Sequence, residues 1–297
     1  MFTHALTFCI AYDTINISIN IKMWRIINMK IIAWVGIKGG IGKTTLSYNY
    51  GEWLAKQGKK ILFVDLDHQS NLSQTYEVYD QNGTVGDIFN GNGQQVKIHH
   101  VKDHIDLLAG DMHLDDIEAT IENNPNKNML LYLWLADNYD PLNLDQYDYI
   151  IIDCHPDFSI ATKNAIVVSQ DILSPLTPSE YGYNAKFNLE ERISEYKKEA
   201  IDYTTRKTFV TANLWFVANK IKHNTNSSHN LIKALKAERE KGDNSCIGIV
   251  PEKELFNRST LDRKPIVEMA EDPVVYKKQR KFFDDINTVF TTITQKL

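Results

Sequence analysis

Four glycines, two lysines and two threonines crowd into the stretch GIKGGIGKTTL, residues 36–46. It follows the apolar run IIAWV and opens an amphipathic pattern, so it reads as a loop between a strand and a helix. In that setting the backbone N–H groups of Gly39, Gly40, Ile41, Gly42, Lys43, Thr44 and Thr45 can converge on an anion, helped by the positive end of the helix. Gly39, Gly40 and Gly42 carry no side chains where backbone must wrap a phosphate. Lys43 is placed to contact β- and γ-phosphates, and Thr44 to put its hydroxyl on Mg²⁺. Two acidic stretches complete the chemistry. VDLDHQSNLS carries Asp65 and Asp67 two residues apart at a strand end, and YDYIIIDCHPDFS ends an apolar strand in Asp153. Carboxylates so placed hold a divalent cation or orient an attacking water, the requirements of phosphoryl transfer from a nucleoside triphosphate.

Positioning these groups needs a particular scaffold. Short β-branched runs at 30–36, 60–66, 147–153, 171–176, 208–219 and 245–250 alternate with helical patterns at 43–57, 114–136, 160–169, 180–199, 227–241 and 274–294. Several runs are apolar at consecutive positions, as strands covered on both faces are. Residues 94–110 read as an edge hairpin. The expected fold is α/β, with a mostly parallel central sheet flanked by helices on both faces in three layers.

A chain of 297 residues, 43% hydrophobic and 24% charged, has the composition of an ordinary globular protein. Cys9, Cys154 and Cys246 are far apart and show no C-x-x-C spacing, which argues against a disulfide framework or a zinc site and for a reducing compartment. Residues 1–29 read as an N-terminal extension, a strand or poorly ordered arm; the segment ALTFCIAY lacks the preceding positive charge of a signal peptide and is too short to span a bilayer. Residues 30–297 are expected to form one domain. The net charge of −5 is uneven: residues 1–150 hold 11 Lys/Arg against 18 Asp/Glu, and residues 151–297 hold 22 against 20.

The first glycine of the common G-x-x-x-x-G-K-[ST] pattern falls on Ile37, whereas KGGIGKTT from Lys38 to Thr45 is a complete variant of it. This variant resembles the deviant Walker A motif of the ParA/MinD family of ATPases, and the likeness extends over about residues 30–295. The resemblance implies a P-loop NTPase fold, ATP and Mg²⁺ as cofactors, and an ATP-dependent sandwich homodimer. Lys38 would cross to the nucleotide of the partner subunit while Lys43 serves its own. VDLDHQSN is similar to the family's DxDPQGN segment, so Asp67 would position the hydrolytic water and Asp65 would stand on the metal side; His68 and Ser70 replace the usual proline and glycine. Asp153 would hold Mg²⁺, His155 replaces a family proline and reads as an exposed loop residue, and Asp157 reads as a helix N-cap. FVANKI would place Asn219 at the adenine edge, and IVPEKELFNRSTLDRKPI would pack Pro251 on the base, with Arg263 where the family has glycine.

Residues 205–241 hold eight Lys/Arg against two acids. Taken alone, this is an ordinary solvated face. The partition branch of the family binds DNA without sequence preference, and the resemblance therefore makes Lys222, Lys233, Lys236, Arg239, Arg258 and Arg263 candidates for phosphate contacts. Three branches compete. An iron–sulfur carrier would need paired cysteines, which are absent. A MinD-like membrane-associated positioning ATPase would need a C-terminal amphipathic helix with a basic face, but Ile286, Val289, Phe290 and Ile293 are accompanied mainly by Asp, Asn, Thr and Gln. The favoured expectation is a small ParA-type plasmid or DNA partition ATPase without a helix-turn-helix domain. It would be cytoplasmic and nucleoid-associated, bind no membrane, and be stimulated by a small centromere-binding partner of the ribbon-helix-helix type.

Overall fold

The computed structural model describes residues 30–179 and 183–297. The expected extension over 1–29 lies outside the described residues, as does the start of the helix expected from residue 180. One eight-stranded sheet runs in the order β3-β4-β2-β5-β1-β6-β7-β8. Its strands are β1 (Lys30–Trp34), β2 (Ile61–Leu66), β3 (Ile98–Lys102), β4 (Ile105–Leu108), β5 (Tyr149–Cys154), β6 (Asp171–Leu176), β7 (Asn213–Ile221) and β8 (Cys246–Pro251). All neighbours are parallel except the edge hairpin β3–β4, which is the hairpin expected over 94–110.

Consecutive apolar residues in the central strands are divided between two cores by the two-residue period of the strand. Ile31, Ala33, Leu62 and Val64 face one core, with Leu131 and Trp134 of α5 (Leu130–Asn138), Ala165 of α6 (Ile160–Val168) and Leu189 of α7 (Asn184–Glu199). Ile32, Trp34, Ile61 and Phe63 face the other, with Leu46 and Tyr50 of α1 (Lys43–Lys56) and Phe282, Ile286 and Phe290 of α11 (Pro273–Lys296). Each strand residue is thus apolar because each meets a helix layer. The C-terminal helix buries its apolar stripe in this second core, as its polar composition anticipates. Among the described residues, no helix is long and apolar enough to cross a membrane.

The helix expected over 114–136 is two. The first, α4 (Leu114–Thr120), stops before the sequence NNPN, and a 3₁₀ turn at Lys127–Met129 leads into α5. Pro125 cannot donate to a helical ladder and biases the residue before it away from helical geometry, which accounts for the break. The run expected as a strand from 208 is extended only from Asn213. Short helices α2 (Asn71–Thr75), α3 (Gly86–Phe89), α9 (Glu254–Leu261) and α10 (Ile266–Met269) were not anticipated by periodicity; α8 (Asn226–Glu240) was.

Candidate nucleotide site

The ends of β1, β2 and β5 come level at one rim of the sheet. Trp34 pairs with Asp153, and Asp65 pairs with the same Asp153 from the other side. This is the carboxyl end of the strands, where open α/β sheets bind ligands. A cleft of about 650 Å³ opens here, walled by the loop from Gly40 to Thr45, by Asp67 and Gln74 from the β2 side, and by Tyr79 and Arg263 opposite.

The loop is shaped by what its glycines avoid. Gly42 sits at φ 93° as the residue preceding α1, and a Cβ there would meet the Asn219 amide nitrogen at 2.5 Å. Gly36, which the motif reading passed over, is equally constrained: its Cβ would lie 2.4 Å from Ile41 Cδ1. The helix that follows has no side-chain cap, whereas α6, α8 and α11 are capped by Ser159, Thr225 and Asp272. An uncapped N-terminus leaves backbone N–H groups directed at the cleft, which suits a phosphate.

Lys43 is buried beneath the loop, while Lys38 is exposed on its outer side. Lys38 does not line the nucleotide cleft; it borders a small crevice with Ser174, Pro175 and Thr177 at the end of β6. The two lysines of the motif are therefore directed to different places.

Asp153 is fully buried, and neither of its carboxylate oxygens has a well-formed hydrogen bond among the described residues. Burial raises its pKa to about 8, with the charge of Asp65 adding to the rise; the nearby Thr44 hydroxyl and Lys43 ammonium oppose it. Asp65 is also pushed up, to about 6, mainly by burial, against hydrogen bonds from Ser73 N and Oγ at 2.9 and 2.7 Å. Two carboxylates crowded beside a threonine hydroxyl, one of them without a well-formed hydrogen bond, are a donor set for a hard divalent cation bound through oxygen. The residues present thus fit Mg²⁺, with Thr44 and Asp153 the better placed. Asp65 spends its oxygens on Ser73 and on the Asp67 amide, so its visible work is to hold α2 against the strand end. Asp67 is nearly buried and lines the cleft; its Oδ1 accepts from Gln69 N at 2.9 Å.

The structure moves several sequence-assigned residues. Asn219 does not line the cleft; its amide donates to the Ile41 carbonyl at 2.8 Å and so braces the phosphate loop. Its neighbour Lys220, which sequence reasoning missed, donates to the Gly40 carbonyl at 2.8 Å and does reach the cleft. Pro251 lines a separate cavity with Cys246, Asp285 and Thr288. Arg263 stands in the cleft wall, bonded to Glu77 and to the Tyr79 hydroxyl, away from the basic groove. Arg258 is paired with Asp262 at 2.8 Å. By contrast Lys222, Lys233 and Lys236 gather around one groove of about 660 Å³ beside α8, although Lys222 is paired with Glu252 at 3.0 Å. Arg239 is exposed one turn further along the same helix. His155 is half-buried in the cleft wall rather than an exposed loop residue. Ser159, not Asp157, caps α6; Asp157 instead accepts from Ser159 N at 3.1 Å.

Comparison with known proteins agrees with this geometry. A family model described as an AAA domain matches residues 29–206. The chromosome-partitioning ATPase Soj of Treponema pallidum is 34% identical over 149 residues, 50% of this chain and 56% of that protein. The Bacillus subtilis sporulation initiation inhibitor protein Soj is 35% identical over 156 residues, 51% of this chain and 60% of its own. The matched segment thus spans little more than half the length of these curated relatives. Among solved structures, a plasmid partition protein of Borrelia burgdorferi bound to AMPPNP superposes with TM-score 0.71 at 20% identity, covering 91% of this chain and all of the other, which shows the shared fold. With the AAA domain matched over more than half of its residues and the Soj proteins among its relatives, the chain belongs to the ParA/MinD family of ATPases.

Proposed function

We propose that this protein is a DNA partition ATPase, of the kind that segregates plasmids, which closes into a homodimer on ATP, binds DNA without sequence preference in that state and lets go on hydrolysis. The observation that carries the reading is the division of labour between the motif's lysines. Lys43 is buried under the loop that cradles phosphate, and Lys38 is exposed on the far side of it. A lysine so placed serves a nucleotide held by a second subunit, adding charge-assisted hydrogen bonds that exist only in the dimer. ATP occupancy and dimerisation are then linked and reinforce each other by the same factor. The relative from Treponema pallidum named as a chromosome-partitioning ATPase, and the Borrelia partition protein solved with AMPPNP, support the same reading.

In this reading the loop from Gly39 to Thr45 binds the phosphates through backbone N–H groups, and Lys43 compensates their charge. Thr44 and Asp153 hold Mg²⁺, which would draw charge off the phosphate oxygens. Asp67, nearly buried at the cleft wall, orients the attacking water. Asn219 and Lys220 fix the loop from β7, so their part is to keep its carbonyls turned away from the anion. Lys222, Lys233 and Lys236 form the DNA-facing groove, which dimerisation duplicates. A small centromere-binding protein would stimulate hydrolysis and so time the release.

The test is binding of the full chain to random-sequence duplex DNA with ATP, with ADP and without nucleotide, at two salt concentrations, beside a liposome control. Salt-sensitive binding that needs ATP supports the proposal. Liposome binding without DNA binding would refute it in favour of a membrane-positioning ATPase.

A further inference from the structure

Where sequence reasoning saw two departures from family prolines, the fold brings two histidines face to face. β2 and β5 are neighbours, with Leu66 opposite Cys154, so the residues that follow each strand leave the sheet side by side. The rings of His68 and His155 lie 4.1 Å apart, centroid to centroid, at 34°. The Asp67 carboxylate joins them, and one ligand atom from each of the three residues falls within 4.8 Å of the others. Asp67 is nearly buried, and both histidines are half-buried. Asp157 Oδ2 stands 3.0 Å from His155 Nδ1.

We propose that Asp67, His68 and His155 form a binding site for a borderline divalent cation of the zinc class, separate from the Mg²⁺ position at Thr44 and Asp153. The ligand chemistry distinguishes the two. Imidazole nitrogen suits zinc, copper and nickel, while Mg²⁺ seeks oxygen in octahedral geometry. Two imidazoles and one carboxylate give three protein ligands with a fourth position open. Ligands about 2 Å from a tetrahedral ion stand roughly 3.3 Å apart, so side-chain rotations that close the present spacing by about 1.5 Å complete the site. The Asp157 carboxylate is within reach of His155 Nδ1 but not in hydrogen-bond geometry, so the ring rotation that closes the site must also bring the two into line for Asp157 to fix the imidazole as metal-bound histidines are fixed.

Such an ion would tie the β2 loop to the β5 loop and claim Asp67. On the function proposed above, and only on it, a bound zinc ion withdraws the water-orienting carboxylate and slows hydrolysis. The site would make the ATPase sensitive to metal status without any change at its phosphate loop.

Binding is tested on the metal-free full chain without nucleotide, using Co²⁺ as a visible-absorbance probe and Zn²⁺ as competitor. One saturable equivalent of Co²⁺, displaced by Zn²⁺ and not by excess Mg²⁺, is expected. His68→Gln and His155→Gln should each weaken it by about tenfold or more, and Asp157→Asn, which keeps all three ligands, by about tenfold. The last variant guards against misfolding of the others, and circular dichroism checks each. Non-saturable binding, or an affinity unchanged in the His68→Gln/His155→Gln double variant, overturns the site and assigns the metal to other surface histidines. Because no nucleotide is present, this outcome is independent of whether the protein binds DNA with ATP.

Discussion

Replacing Asp153 with Asn should stabilise the metal-free protein while destroying its response to Mg·ATP. The magnitude follows from burial. A carboxyl whose pKa rises from 3.8 to about 8 on folding holds its proton in the native state and loses it in the unfolded state across that whole interval. The sign is therefore fixed: stability from this group is complete below pH 3.8 and is lost as pH climbs to 8. At about 1.4 kcal/mol per pH unit, the native state is penalised by about 3 kcal/mol at pH 6, about 4 at pH 7 and about 5.5 at pH 8.5. An asparagine does not titrate, and it shares the cost of an unpartnered buried polar group. The difference between Asp153→Asn and the wild type should thus widen by about 2.5 kcal/mol from pH 6 to 8.5. For a protein of this size, with an unfolding entropy of about 0.6 kcal/mol/K, that is about 4 °C in melting temperature. The assay is thermal unfolding in EDTA at those two pH values, repeated with Mg·ATP. The wild type should gain with Mg·ATP because the cation satisfies Asp153, and the variant should gain little. A gap that does not change with pH, or a variant that melts below the wild type in EDTA at pH 8.5, would refute the view that burial holds the Asp153 carboxyl far above its ordinary pKa.

Three further outcomes are expected from the proposed cycle. Lys38→Ala should bind ATP within about threefold of wild type yet dimerise about 10²- to 10⁴-fold more weakly, the worth of the two charge-assisted hydrogen bonds that a symmetric dimer would lose, by sedimentation with ATP; normal dimers would sink its bridging role. Asp67→Ala should lower turnover by about 10²- to 10⁴-fold and prolong residence on DNA, and unchanged phosphate release would remove it from the water-orienting role. Lys233→Gln with Lys236→Gln should reduce the slope of log affinity against log salt by about 2 per subunit; an identical slope would return the groove beside α8 to ordinary solvated surface.

What the sequence disclosed and what it withheld divides along a physical line. The phosphate loop and Asp153 were legible because strand, turn and helix follow one another in the chain, so local order sets their geometry. The parallel sheet was legible for a similar reason: strands covered on both faces must be apolar at consecutive positions, and Ile31 to Trp34 and Ile61 to Val64 are. Residues whose role depends on a distant segment were harder. Asn219 lies 178 positions from the carbonyl it binds, and Lys220 lies 180 from its own. Nothing in FVANKI says which of them reaches the cleft. Pro251 and Arg263 were placed by likeness to a segment pattern, and the fold puts the first in another cavity and the second in the cleft wall.

The departures from the family pattern carry the sharper lesson. Ser70 and Arg263 stand where the ParA/MinD pattern that the sequence resembles has glycine, and both have a left-handed backbone, at φ 49° and 52°. That conformation costs a residue with a Cβ about 1–2 kcal/mol. A chain free to relax would abandon it after losing glycine. Ser70 is held by its own N–H donating to the Asp67 carbonyl at 2.7 Å, and Arg263 by its guanidinium on Glu77 and Tyr79. Both anchors are cleft residues or their immediate neighbours. The left-handed backbone at these two positions is therefore held by tertiary contacts rather than by residue type, and at Ser70 the turn after Asp67 helps to place that carboxylate. His68 and His155 stand where that pattern has prolines, and because their loops leave β2 and β5 side by side, these positions carry ligand chemistry that neither motif alone predicts.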